Sequence, residues 1–373
     1  MVHTFPHIMI KEIFENPRAV RDTALGRVDS ATGRVTLEGI HLHAEDFSKI
    51  RKIRIAASGT SRHAGIAGRY MIQELACVPV YVEHASEFEY GNPITGPDEL
   101  TIVITQSGET ADTRGAMHLA KSRGSKILAI TNVVDSTIAR EADAVIYTHA
   151  GAEISIASTK AFSAQLVALF LLGVYLGDLR GTLTSEQSRH WITELLAMPD
   201  KITHTLTRDT ECSALAEKFY KSEDFLFIAR GVHFPIALDG ALKMKETSYI
   251  HAEGYPAGEI KHGPYALIDE KLPVVAIATR DPNDAAAVRR SERTLANCKE
   301  ITETGGRVIV IATEGDRKVE EVAQDVIYVP EAPELLSPLV EIVPLQLLAY
   351  HIAVRRGVDV DRPRNLVKAV TTE

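Results

Sequence analysis

Several stretches of this sequence carry residue types that can do chemistry. Ser58-Gly59-Thr60-Ser61 and Thr105-Gln106-Ser107-Gly108-Glu109-Thr110 each combine hydroxyls with glycine directly after a short β-branched run. Hydroxyls and backbone N–H groups at helix N-termini can surround a small anion without lysines, so this composition suits a phosphate monoester. The same runs are also ordinary N-cap and turn sequences, although Glu109 stands one residue too close to Ser107 for a full capping box. A third stretch, Glu153-Ile154-Ser155-Ile156-Ala157-Ser158-Thr159-Lys160, reads as a loop and N-cap that opens a long apolar helix at Ser158 or Thr159.

Proton transfer has its own candidates. A helix opening near Pro235 places Lys243 and Glu246 at i and i+3 on one face. Such a pair is ordinarily a solvated surface contact. A loop dense in glycine, proline, acids and histidines follows, from His251 through His262-Gly263-Pro264, and is a candidate active-site segment. Arg362-Pro363-Arg364-Asn365-Leu366-Val367-Lys368 lies near the end, where a lysine is ordinarily a solvated tail residue.

Other chemistries lack their signatures. Neither G-x-G-x-x-G nor G-x-x-x-x-G-K-[ST] occurs, so a dinucleotide or P-loop site has no support. His251 and His262 are not spaced as zinc ligands and H-E-x-x-H is absent, so no metal is expected. No G-x-S-x-G elbow supports a hydrolase triad. With 41 Lys+Arg against 50 Asp+Glu the formal charge is -9, and no basic block interrupts it, which argues against nucleic acid as a partner. Cys77, Cys212 and Cys298 are odd in number and far apart; they fit buried small residues in a reducing compartment.

The scaffold that must position these residues is legible in the hydrophobic pattern. Short β-branched runs at 53–57, 80–82, 101–104, 127–130 and 144–147 alternate with helix-length segments, which predicts a parallel sheet covered on both faces. After a polar helical stretch over 184–217 the order returns, with runs at 225–228, 274–277, 308–311 and 326–328. The two series superpose at an offset of about 170 to 180 residues, Ala57-Ser58-Gly59 on Ala229-Arg230-Gly231 and Val145-Ile146-Tyr147 on Val326-Ile327-Tyr328. The expected fold class is α/β, with two tandem doubly wound parallel-sheet domains related by internal duplication, each ending in a long apolar helix that closes on a glycine, Gly177 and Gly357.

The expected boundaries are a helical lead-in over 1–45, a first domain over 46–182, a helical connector over 183–215, a second domain over 216–357 and a tail over 358–373. In the lead-in, Pro17 interrupts an apolar stripe of Ile8, Ile10, Ile13 and Phe14. The longest apolar stretch, 164–177, is shorter than the roughly 20 residues of a membrane span. Residues 1–13 have no uninterrupted apolar core of a signal peptide. A cytoplasmic protein without membrane contact is expected.

Together, the hydroxyl runs, Ala157-Ser158-Thr159-Lys160-Ala161-Phe162, the block over 243–262 and the tail over 362–368 resemble the sugar isomerase (SIS) family. Within it they resemble the isomerase half of the glucosamine-6-phosphate synthases, the glutamine:fructose-6-phosphate amidotransferases. The resemblance covers essentially the whole chain. It implies a phosphate site in the first domain made by Ser61, Gln106, Ser107 and Thr110, with Thr105 where the family commonly has serine, so that the hydroxyl is kept. It implies that Ile156, Ser158 and Val367 line the sugar site, although several family members have smaller residues at the positions of Ile156 and Val367.

The same resemblance implies Glu246 as the base that moves a proton between C1 and C2, with Lys243 beside it. His262 matches the ring-opening histidine, supplied by the neighbouring subunit of a homodimer, and Lys368 the lysine that forms a Schiff base with the open-chain ketose. The implied reaction converts fructose 6-phosphate to glucosamine 6-phosphate with ammonia, or to glucose 6-phosphate without it, in amino-sugar metabolism. Imidazole proton shuttling, a carboxylate over C1 and C2 and imine exchange need neither metal nor redox cofactor. The same site run in reverse is that of SIS-type glucosamine-6-phosphate deaminases, and other SIS proteins are non-catalytic sugar-phosphate sensors. One departure is large: the synthases begin with a glutaminase domain bearing an N-terminal cysteine, whereas this chain starts Met1-Val2-His3 and has no cysteine before Cys77. The expectation is an excised domain, a stand-alone enzyme using free ammonia, or a partner of a separate glutaminase.

Overall fold

Runs rich in Val, Ile and Ala alternate with helices along the chain, and each of them forms a parallel strand. The structure, a computed structural model, describes residues 5–37, 40 and 44–372. It divides into two units. The first-sheet unit comprises Arg18–Glu153, Lys160–Ala197 and Val367–Glu373, and the second-sheet unit Met1–Pro17, Ile154–Thr159 and Met198–Leu366.

Helices α1 (Ile8–Phe14), α2 (Asn16–Ala24) and α3 (Ala44–Lys49) precede the first sheet in the chain. Met9 completes the buried stripe of α1 with Ile10 and Ile13, whereas Ile8, expected in it, is 37% exposed. Pro17 stands in the first turn of α2, where a missing N–H costs no hydrogen bond, so it opens a second helix as well as ending the first.

The first sheet is built from β1 (Lys52–Ala57), β2 (Val80–His84), β3 (Glu99–Ile104), β4 (Lys126–Thr131) and β5 (Ala144–Tyr147), in the order β2-β1-β3-β4-β5. All pairings are parallel. Its helices are α4 (Gly59–Ala76), α5 (Ala85–Phe88), α6 (Ala111–Ser122), α7 (Thr137–Glu141) and α8 (Lys160–Arg180). Helix α8 is long and apolar enough to pass as a membrane span, yet 83% of its most apolar window is buried inside the protein.

Gly177 does not close α8 as expected; the helix continues to Arg180. A Cβ at Gly177 would come within 2.6 Å of the Leu75 carbonyl oxygen, so the glycine lets α8 lie against α4. Gly357 does follow the last long helix, which ends at Arg355. Cys77 also departs from expectation: it is exposed at the C-cap of α4, whereas Cys212 and Cys298 are buried and burial pushes both thiols up, Cys298 to about 12.

Helices α9 (Ser185–Leu206) and α10 (Asp209–Phe219) lead to the second sheet. This sheet contains β6 (Asp224–Ala229), β7 (His251–Pro256), β8 (Pro273–Ile277), β9 (Arg307–Thr313) and β10 (Asp325–Val329), and its order, read from β7, is β7-β6-β8-β9-β10. That is the topology of the first sheet, strand for strand, so the duplication holds. Its helices are α11 (Phe234–Ser248), α12 (Ala285–Glu303) and α13 (Pro338–Arg355). Leu226, Ile228, Val274, Ala276, Val308 and Val310 pack with Leu295, Cys298 and Ile301 of α12 in one core.

The segment expected to be a loop from His251 onward begins with a strand. β7 pairs in parallel with β6, Asp224 opposite His251 through Ala229 opposite Pro256. It is an edge strand of which only Ala252 is fully buried, so it carries no apolar run. Short 3₁₀ turns over Ile260–His262 and Pro264–Leu267 follow it.

Candidate active site

In the first-sheet unit, β1 and β3 are paired so that Ala57 lies opposite Ile104. The hydroxyl-rich segments after the two strands therefore leave the same end of the sheet side by side, where ligands of such sheets bind. Neither Ser58 at the start of α4 nor Thr110 at the start of α6 caps its helix with its side chain. The first-turn N–H groups are thus left to other acceptors.

The loop after β3 is folded by its own hydroxyls. The Thr105 Oγ1 accepts the Gly108 N–H at 3.2 Å and shares a hydrogen bond with the Thr110 hydroxyl at 3.0 Å, while the Ser107 hydroxyl accepts the Glu109 N–H at 3.1 Å. Gly108 has φ +73°, and a Cβ there would lie 1.9 Å from the Ser136 hydroxyl, so no other residue fits. Glu109 turns away from α6 and accepts the Thr137 N–H at 2.8 Å, at the start of α7. That backbone bond, with the Thr137 hydroxyl, holds the Glu109 carboxyl below its ordinary range. Thr105 is buried, while Gln106, Ser107 and Thr110 are half-buried. Ser61, in the first turn of α4, accepts a hydrogen bond from Gln165 of α8 at 2.9 Å.

The tail joins this unit. The carbonyl of Val370 accepts the N–H of Ala111, the first residue of α6, at 3.1 Å. Two residues earlier, the Lys368 ammonium donates to the Glu153 Oε2 at 2.6 Å. The Glu153 side chain is fully buried and that of Lys368 is 25% exposed. Sequence reasoning assigned no role to Glu153. Val367 is exposed.

In the second-sheet unit, Lys243 and Glu246 of α11 form an ion pair at 2.6 Å. It is not the surface contact that i, i+3 spacing usually means: the Lys243 side chain is fully buried and that of Glu246 is 22% exposed. One turn earlier, Asp239 is a further buried acid that the sequence reading passed over. His262 lies in the turn after β7 and is exposed. Ile156 and Ser158 are half-buried in a segment held from both sides, since Glu12 accepts the N–H groups of Ile154 at 2.6 Å and Ser155 at 3.3 Å, and the Asp361 carbonyl accepts that of Ile156 at 3.2 Å. Asp361 also accepts the N–H groups of Ile8 and Met9 at the start of α1, at 2.9 and 2.8 Å.

Among the described residues, the ends of the second sheet's strands carry no comparable hydroxyl-rich loop. At the repeat offset His233 stands where the first domain has Ser61, and it is fully buried between Glu341 at 2.6 Å and Glu334 at 3.0 Å. Arg290 grips Glu334 at 2.5 Å, and the Thr279 hydroxyl, just past β8, donates to Glu341. Burial and Arg290 disfavour the imidazolium, yet the two carboxylates raise His233 above its ordinary range. Burial likewise works against the Glu334 carboxylate, but His233 and Arg290 hold it down to about 2. Two protein carboxylates thus lie against the residue that stands at the repeat counterpart of Ser61. Among the described residues, no group of three or more His, Cys, Asp or Glu could hold a metal ion.

A family model described as the SIS domain matches residues 46–175 and 218–356. The protein from Chlorobaculum tepidum named glutamine--fructose-6-phosphate aminotransferase (isomerizing) is 50% identical over 369 residues, 99% of this chain and 59% of that protein. Its namesake from Caldanaerobacter subterraneus subsp. tengcongensis is 46% identical over the same shares. Among solved structures, the C-terminal domain of glucosamine-fructose-6-phosphate aminotransferase from Francisella tularensis superposes with a TM-score of 0.89 at 39% identity, covering 96% of this chain and 98% of that one. The chain spans about 59% of the length of the curated relatives it matches.

Proposed function

The chain belongs to the SIS domain family, and from that premise we propose that it isomerises and aminates a sugar phosphate, converting fructose 6-phosphate and ammonia to glucosamine 6-phosphate and water. Without ammonia it forms glucose 6-phosphate. The observation that carries this reading is the Lys243–Glu246 pair: a carboxylate fixed at 2.6 Å by a fully buried lysine, with part of its own surface open. Such a group is held rigidly enough to move a proton between neighbouring carbons. The names of the relatives that match nearly the whole chain support the same reading.

In this reading Ser61, Thr105, Gln106, Ser107 and Thr110 hold the phosphate, and Ile156, Ser158 and Val367 face the sugar. His262, reaching in from the second subunit of a homodimer, opens the ring by shuttling a proton between the ring oxygen and the anomeric hydroxyl. Lys368 adds to the C2 ketone and water leaves; ammonia then displaces the lysine from the imine. Glu246 takes a proton from C1 and returns it to C2, while the C1 hydroxyl proton passes to the imine nitrogen, leaving the aldose with its amine on C2. Ammonia arrives free or from a separate glutaminase.

Product analysis tests this directly. Purified protein is incubated with fructose 6-phosphate with and without ammonium, and with glucosamine 6-phosphate in the reverse direction. Glucosamine 6-phosphate formed only with ammonium is the expected outcome. Efficient ammonia release with negligible synthesis would replace the reading with a deaminase, and no turnover in either direction with a sugar-phosphate sensor.

A further inference from the structure

We infer that Glu153 is the positioning residue and counter-ion of Lys368, keeping its nitrogen in place and its charge compensated while the imine forms. The inference rests on the Schiff-base reading of Lys368 given above. Lys368 sits on a tail without helix or strand, and a flexible four-carbon amine on such a segment has many places to go. It is paired with Glu153, whose side chain is fully buried and whose Oε2 lies 2.6 Å from the Lys368 nitrogen. The other oxygen, Oε1, accepts the N–H of Ala161 in the first turn of α8 at 3.1 Å. The carboxylate is thus anchored to the positive end of a buried 21-residue helix. One oxygen thus meets the helix and the other the lysine.

The chemistry needs a permanent anion at this point. Ammonium plus ketone give iminium plus water: the C2–O bond breaks, a C2–N double bond forms, and the oxygen leaves with two of the three ammonium protons. The nitrogen carries one positive charge before and after. A buried carboxylate beside it stabilises both states and keeps the iminium, the electron-withdrawing form, populated.

The test uses borohydride trapping with fructose 6-phosphate, read as the rate of adduct formation at Lys368 by mass spectrometry, together with the affinity for inorganic phosphate. Glu153→Gln is the informative variant, because its amide oxygen still accepts the Ala161 N–H and keeps α8 capped. Trapping should slow at least about tenfold, the scale of a lost charge-assisted pair, with phosphate affinity within about threefold. Glu153→Asp keeps the charge at shorter reach and should fall between Glu153→Gln and the unaltered protein. If Glu153→Gln does not fold, the aspartate variant decides, and trapping at the unaltered rate overturns the inference. So does Glu153→Gln trapping at that rate, or losing phosphate affinity in step with trapping, which marks a purely structural role. No adduct in the unaltered protein defeats the Schiff-base reading itself, and the inference with it.

Discussion

The carbonyl of Val370 accepts the backbone N–H of Ala111 at 3.1 Å, tying the tail to the first residue of the helix that follows the hydroxyl-rich loop after β3. The bond lies two residues beyond Lys368, so it sets where the lysine enters the unit. Ala111→Pro removes only that donor: proline is well tolerated at the first helical position, and Thr110 already has the extended backbone, φ −64° and ψ 121°, that a residue before proline requires. The variant should fold and bind phosphate normally while borohydride trapping falls about two- to tenfold, the worth of one hydrogen bond. An unchanged trapping rate would show that the tail is placed without this bond.

Glu246→Gln should lower isomerisation by about 10² to 10⁴-fold, the usual contribution of a positioned base. The amide still accepts from the Lys243 ammonium, so the variant should keep its melting temperature and its affinity for fructose 6-phosphate. Calorimetric titration alongside the rate assay separates the outcomes. Loss of binding in proportion to loss of rate would move Glu246 from proton transfer to substrate binding.

The exposed position of His262 has a direct consequence if the histidine works in the neighbouring subunit. His262→Ala and Glu246→Gln should each be inactive alone. Mixed, unfolded and refolded together, they should recover about a quarter of full activity, because half of randomly paired dimers are mixed and each of those has one intact site of two. If His262 serves its own subunit, the mixture stays as inactive as its components. A monomer with full activity contradicts the arrangement outright.

Much of this architecture was legible from residue types alone. The β-branched runs marked nine strands, most plainly the central ones that are buried on both faces, as β3 is over its whole length. β7 escaped because His251-Ala252-Glu253-Gly254-Tyr255-Pro256 pairs along one edge only and buries Ala252 alone; the duplication, which demands a counterpart to β2, was the signal that could have found it. The i, i+3 spacing placed Lys243 and Glu246 on one face, but not the complete burial of Lys243, which depends on what packs around α11. Glu153 was invisible because its partner, Lys368, is 215 residues away. Gly177 misled because a glycine that ends a helix and one that lets two helices touch look the same in sequence.

The His233 cluster makes the second-sheet unit sensitive to pH from both sides. Glu334, held at about 2 against an ordinary 4.5, contributes stability that is present above pH 4.5 and is lost as pH falls toward 2, on the order of 3 kcal/mol. His233 is shifted the other way: its contribution is complete below its ordinary 6.5 and is lost as pH rises through the higher value that Glu341 and Glu334 impose. Thermal melts should therefore peak between about pH 5 and 6.5 and decline on both sides. Glu334→Gln should flatten the acid limb, and His233→Gln the alkaline one, each at the cost of a lower maximum, because the remaining buried charges lose a partner. An alkaline limb that survives His233→Gln unchanged would mean that another group sets it.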